Sequence, residues 1–214
     1  MDNASAIVVA LAILLVGGYA VGAVINARRM GSLIAGLRDA LAGPGGAPTV
    51  RRLRRTIVRL EADRPVRGTG PVVATVLMAP REAVLVWALW ALRGRGDLLD
   101  VKAHLDAVPS GAGLVADPRH RIGHAAIDAG LAAGGTRGGL PGTRLATVTY
   151  DQPGATAMAR MARVAEGVGD IVLVELRAAQ PRLTVLVSLH GAPRSLSGLR
   201  SALQHVVDAA SADE

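Results

Sequence analysis

Residues 7–25 carry no charged side chain; Arg28 and Arg29 follow closely, and only Asp2 precedes them among charged residues. Nineteen helical residues at about 1.5 Å each reach roughly 29 Å, close to the hydrocarbon thickness of a bilayer. The stretch therefore reads as a membrane anchor with a direction. A cleaved secretory signal competes for the same residues, but its grammar is missing. No Lys or Arg precedes the run, the run exceeds the usual h-region, and the basic residues stand on the far side. With Arg28, Arg29 and Arg38 after the span, the positive-inside rule puts the C-terminal part in the cytoplasm and the short N-terminus outside. The chain has no cysteine, so neither disulfides nor a thiol-linked lipid enters, and that fits either compartment.

The net charge of +7 is concentrated just beyond this span. Between residues 28 and 67 ten Arg face Asp39, Glu61 and Asp63, whereas the remainder holds fourteen basic and fourteen acidic residues. The collar points to anionic lipid headgroups, to which each basic residue near the surface contributes about 1 kcal/mol. Arg28, Arg29, Arg51, Arg52, Arg54 and Arg55 are the candidate headgroup contacts. Nucleic acid is the rival partner for so basic a chain. Aromatic residues make up only 2% and Phe is absent, which leaves no stacking platform for bases. No nucleic acid is expected. Only Lys102 among the basic residues is not Arg, a bias that fits GC-rich coding as well as selection for guanidinium chemistry.

Met30, Leu33, Ile34, Leu37 and Leu41 recur at helical spacing, so an amphipathic helix continues from the span, lying along headgroups or packing on a neighbour. Gly43, Pro44, Gly45, Gly46 and Pro48 end it and mark the best domain boundary. Residues 56–62 read either as a strand or as the end of a basic helix begun at Val50. Residues 72–78 form a β-branched apolar run between turn signals, the pattern of a buried strand. Helix is expected over 82–92, strand over 98–105, a short strand at 114–116 and a short helix over 122–132. A strand at 145–150, a helix at 155–166, an antiparallel pair at 170–176 and 183–189, and a helix at 195–209 N-capped by Ser195 complete the pattern. Residues 72–117 and 145–190 could be a weak duplication. Strands beside helices with hairpin-length connections imply an α+β fold: a transmembrane helix (1–27), a basic juxtamembrane segment and linker (28–67), and a two-layer domain with a mostly antiparallel sheet (68–214).

Asp117, His120, His124 and Asp128 form the most metal-like constellation, since a helix extended back by one turn would stack three of them on one face. The hydrolytic zinc motif needs Glu after the first His, where Arg121 stands, and Arg119 and Arg121 would repel a cation. Solvated polar residues are the plainer reading. The glycine run from Gly134 to Gly142 lacks the Gly-Lys-Ser/Thr ending of a phosphate loop and reads as a surface loop. Gly167-Val168-Gly169 lacks the third glycine of a dinucleotide fingerprint. Ser188 and His190 have no nucleophile elbow around them. Arg95-Gly96-Asp97 matches an adhesion tripeptide but reads as a turn. No catalytic residue and no cofactor follow from these patterns.

Ten consecutive apolar residues, 83–92, include Trp87 and Trp90, too few to span a membrane. Core burial is the simplest role; a dimer face or a place in the bilayer interface, where Trp is favoured, are the others. Gly18 and Gly22 form a Gly-x-x-x-Gly pair that permits close helix packing in the membrane and hence self-association.

The run Leu77-Met78-Ala79-Pro80-Arg81-Glu82, then Trp87, then Arg93-Gly94-Arg95-Gly96-Asp97-Leu98-Leu99, resembles a stretch in uncharacterised single-span prokaryotic membrane proteins. The likeness covers about a tenth of the chain together with the span. It implies an anchored cytoplasmic domain and supplies no active-site residues; Glu82 would help start a helix and Arg93 help end it. The sequence thus favours a membrane-anchored cytoplasmic binding or assembly module at the inner membrane surface. Its partners would be the bilayer and a protein or second copy reached through the transmembrane helix or the Trp87/Trp90 helix. A membrane-tethered metal-dependent hydrolase is the alternative.

Overall fold

The computed structural model describes residues 2–93, 96–109, 111–139, 142–168, 170–189, 196 and 198–211. Its first element, α1 (Asn3–Leu41), is an unbroken helix of 39 residues, about 58 Å long at the standard rise. Asp2 caps it, its side chain accepting from the Ser5 N–H at 2.9 Å. The helix changes character along its length. Residues 3–17 are exposed throughout, whereas Gly22, Asn26, Met30, Leu33, Leu37, Ala40 and Leu41 form a buried stripe at spacings of three and four. The amphipathic continuation is thus present, and it packs on the chain's own core. Burying Leu33, Leu37 and Leu41 contributes about 1.5–3 kcal/mol each, enough to hold the lower half of α1 to the domain.

Residues 49–63 resolve the ambiguity between helix and strand in favour of a hairpin. The strand β1 (Thr49–Arg54) pairs antiparallel with β2 (Ile57–Asp63), because Val58, Leu60 and Ala62 alternate onto the buried face. β3 (Thr69–Leu77) and β4 (Leu98–Leu105) extend this meander, with α2 (Val84–Leu92) inserted between them. Beyond lie β5 (Gly113–Ala116), α3 (Arg121–Ala132), β6 (Thr136–Gly139), β7 (Ala146–Thr149), α4 (Gln152–Val168), β8 (Ile171–Leu176), β9 (Leu183–Ser188) and α5 (Leu199–Ser211). Among the described residues nine strands form one antiparallel sheet in the order β1-β2-β3-β4-β9-β8-β5-β7-β6. The fold is therefore α+β. The glycine run expected as a loop supplies β6 instead, an edge strand paired through residues 136–139 with β7. Its Leu140 and Pro141 lie outside the described residues.

One continuous core joins the lower half of α1, the buried faces of β2, β3, β4, β8 and β9, and helices α4 and α5. A smaller cluster, Leu114, Ala116, Ile127, Ala146 and Val148, lies beneath α3. Val115 belongs to the first cluster and its strand neighbours to the second, so α3 covers the opposite face at β5 and β7. That end has three layers rather than the two expected. β3 and β4 are neighbours while β7 and β8 flank β5, so 72–117 and 145–190 do not repeat one topology.

The stretch 28–67, expected to link anchor and domain, is part of the domain. Met30, Leu33, Leu37, Leu41, Val58, Leu60, Ala62 and Val66 all enter the main core, and the bend at 43–48 is an internal turn. Arg200 also donates to the Ala42 carbonyl at 2.9 Å, and Gln204 bonds the Arg67 backbone N–H at 2.9 Å. The position proposed for an N-cap of α5, Ser195, lies outside the described residues.

Candidate membrane-facing site

Among the described residues one helix is long and apolar enough to cross a membrane, and 6% of its most apolar window is buried. Ile7, Val8, Leu11, Ile13, Leu14 and Val16 are all exposed. Such a surface is out of place in water, where apolar patches of this extent mark an interface. It is also unlike a core helix, whose apolar side chains would be covered.

The segment before α2 climbs this helix. The Asn26 side-chain amide donates to the Ala79 carbonyl at 3.1 Å and to Glu82 at 2.5 Å. A Cβ on Gly22 would overlap the Arg81 carbonyl, and one on Gly18 would overlap the Val84 side chain. Residues 79–84 thus run antiparallel to α1, from the level of Asn26 to that of Gly18, where α2 starts. The close approach that Gly-x-x-x-Gly permits is taken up within the chain, by 81–84.

No residue of α2 is buried, so core burial does not account for its apolar surface. Leu85 is 69% and Leu92 86% exposed, and Trp87 also faces outward. The helix stands off the sheet beside the apolar half of α1, which explains why hydrophobicity extends all round it. Glu82 bonds Asn26 rather than capping the first turn, and the Arg93 N–H closes the last turn on Leu89 and Trp90.

Asp97 pins this arrangement to the sheet. Its side chain is fully buried and receives Arg29 Nε at 2.7 Å, Arg81 through two nitrogens at 3.0 Å, and the Ala79 N–H at 2.8 Å. Arg29 donates further to the Leu189 carbonyl at 2.6 Å, and Arg81 to the Asn26 side-chain oxygen at 2.9 Å. Two guanidiniums on one carboxylate are a strong, directional pairing. Helix α1, the 79–82 segment, β4 and the end of β9 therefore meet at one buried ionic junction. The turn expected around Asp97 is in part this junction; Gly94 and Arg95 lie outside the described residues.

The other collar arginines diverge from Arg29. Arg28, Arg51, Arg52, Arg54 and Arg55 are exposed. On the β1–β2 turn, Arg52 donates to the Arg55 carbonyl at 3.2 Å, and Arg55 reaches the Tyr19 hydroxyl at 2.6 Å. Between this turn and α1 lies a half-open crevice of about 250 Å³. An apolar slot under α5 against β4 and β9 holds only about 20 Å³, the scale of one water, and reflects core packing.

The polar cluster further along the chain does not converge. Helix α3 begins at Arg121 rather than a turn earlier, with His120 as its N-cap, accepting from the Ile122 N–H at 3.3 Å. Asp117 stays in the preceding loop, where it accepts from the Arg119 N–H at 2.9 Å and faces Arg144 at 3.8 Å. His124 and Asp128 share an exposed face as an i,i+4 pair at 2.9 Å. Among the described residues no group of three or more His, Cys, Asp or Glu is placed to hold a metal ion. His190 and Gly169, from the other weak motifs, lie outside the described residues.

No protein-family model and no curated protein matches the chain, so the likeness of 77–99 to single-span prokaryotic membrane proteins gains no support from either comparison.

Proposed function

We propose that this chain is a single-pass membrane protein whose α+β domain is a binding or assembly module held against the inner membrane surface. The observation that carries the reading is the continuity of α1: exposed and apolar over its first half, buried in the domain core over its second. A helix shared in this way transmits no slack, so the domain keeps one orientation to the bilayer. The junction at Asp97 stiffens it where the two halves meet.

The polar elements that climb α1 as far as Tyr19 set the depth of insertion. Residues 3–18 give about 24 Å of helix, short of the ~30 Å core, a mismatch that local thinning and snorkelling arginines absorb. Helix α2 then lies in the leaflet next to the domain, with Trp87 and Trp90 at the interface. The face of β2–β4 opposite the core carries Arg59, Glu61, Thr75, Asp100, Lys102 and His104 beside Val73 and Leu77, a mixed polar and apolar sheet surface suited to a protein partner.

The absence of cysteine makes the test direct. Single-cysteine variants Asp2→Cys, at the cap outside α1, and Ala133→Cys are labelled with a membrane-impermeant maleimide in intact cells, and membranes are washed with alkaline carbonate. Labelling of Asp2→Cys alone, with retention in the washed membranes, is expected. Release by carbonate, or the reverse labelling, overturns the topology. Extraction into native nanodiscs tests the module: a particle containing only one copy of this chain and lipid overturns the assembly role.

A further inference from the structure

We propose that the crevice between α1 and the β1–β2 turn binds the phosphate headgroup of a single anionic phospholipid, which deepens the membrane-surface reading and rests on it. Two exposed guanidiniums, Arg52 and Arg55, and the Tyr19 hydroxyl converge on a space of about 250 Å³. Its back wall on α1 includes Ala23 and Ala27, side chains short enough to leave room for a headgroup. The Arg52 bond to the Arg55 carbonyl and the Arg55 bond to the Tyr19 hydroxyl hold the turn against the helix. Glu82 also lines the crevice, where Asn26 donates to its carboxylate. The two arginines outweigh it, leaving the site net positive.

Guanidinium forks match phosphate oxygens in pairs, and a hydroxyl adds a neutral donor, so the donor set suits a phosphodiester. The position selects a lipid rather than a free anion. Tyr19 sits inside the uncharged run, and Leu15 and Val8 continue its face of α1 toward the N-terminus at spacings of four and eleven residues. Both are exposed, Leu15 at 42% and Val8 at 66%. A headgroup in the crevice would therefore place its acyl chains along bare apolar helix. A soluble phosphate would leave that surface uncovered.

A discrete site differs measurably from a diffuse basic collar, because Arg51 and Arg54 on the same hairpin do not line the crevice. The full chain, extracted from nanodiscs containing phosphatidylglycerol and phosphatidylcholine, is analysed by native mass spectrometry for retained lipid. One phosphatidylglycerol per chain is expected. Arg52→Gln with Arg55→Gln should cut its retention by roughly tenfold or more, and Tyr19→Phe by a smaller factor. Arg51→Gln with Arg54→Gln should leave it within about twofold. Equal losses in the two double variants, or displacement of the lipid by glycerol phosphate, overturns the site. So does an absence of retained lipid in a chain that resists carbonate extraction, an outcome that leaves the anchor reading intact. Carbonate release of the wild-type chain overturns both.

Discussion

Arg29 Nε and the Asp97 carboxylate lie 2.7 Å apart, joining the core-packed half of α1 to the residue before β4. The carboxylate is fully buried and serves Arg81 as well. Its replacement by Ala leaves two guanidiniums without their counter-charge, the circumstance in which breaking a buried ion pair costs about 3–5 kcal/mol. Asp97→Ala should therefore lower the unfolding free energy in detergent by that order, as measured by urea titration. Arg28→Gln, on the exposed side of the same helix, should stay within about 0.5 kcal/mol. A similar, small effect for both variants would mean that the junction is not what joins helix to sheet.

Gly22 faces the Arg81 carbonyl so closely that no Cβ fits. Gly22→Val should displace the 79–84 segment and destabilise the fold by about 1–3 kcal/mol, as overpacking does. If the glycine pair served instead to pair two copies of the helix, the variant would lose cross-linked dimer with an unchanged melting temperature. Melting and cross-linking of the same sample separate these outcomes.

In β2 the alternation of 58, 60 and 62 spans too short a window to exclude a helix. The strand over 98–105 was legible because one face is buried, and 99, 101, 103 and 105 in β4 alternate against Lys102 and His104. The amphipathic half of α1 was legible for the same reason. The role of α2 was not, since an all-apolar helix has no periodicity to say whether protein or lipid surrounds it. Nor was the split within the arginine collar. Arg28 and Arg29 are adjacent and chemically identical, yet only Arg29 falls on the side of α1 that meets Asp97, a partner 68 positions away. The metal-like pattern assumed a helical turn before Arg121, whereas residues 117–120 form a separate turn closed by the His120 N–H on the Asp117 carbonyl, and His120 caps α3.

Tyr150 offers a pH handle. Burial raises its pKa above the ordinary value, with Glu175 adding to the rise and Arg177 partly offsetting it. The fold thus favours the neutral phenol, and its contribution is complete below the unfolded value of about 10 and lost as pH rises through the higher folded value. Stability should fall as pH rises above about 10, and Tyr150→Phe should flatten that fall. Urea midpoints across this range test it; identical slopes for wild type and variant would remove Tyr150 as the cause.

Trp87 and Trp90 are the chain's only tryptophans, both in α2, so intrinsic fluorescence reports on this helix alone. If α2 lies in the leaflet beside α1, the emission should be blue-shifted in nanodiscs and strongly quenched by lipids brominated near the headgroup end of the acyl chain. Bromine deep in the acyl chain should quench less, because α2 begins level with Gly18 and ends at Arg93, four residues before the buried Asp97, which keeps it near that level. Trp87→Phe and Trp90→Phe, measured singly, divide the signal between the two rings. Emission typical of water and insensitive to brominated lipid would place α2 outside the bilayer and leave its apolar surface for a protein partner.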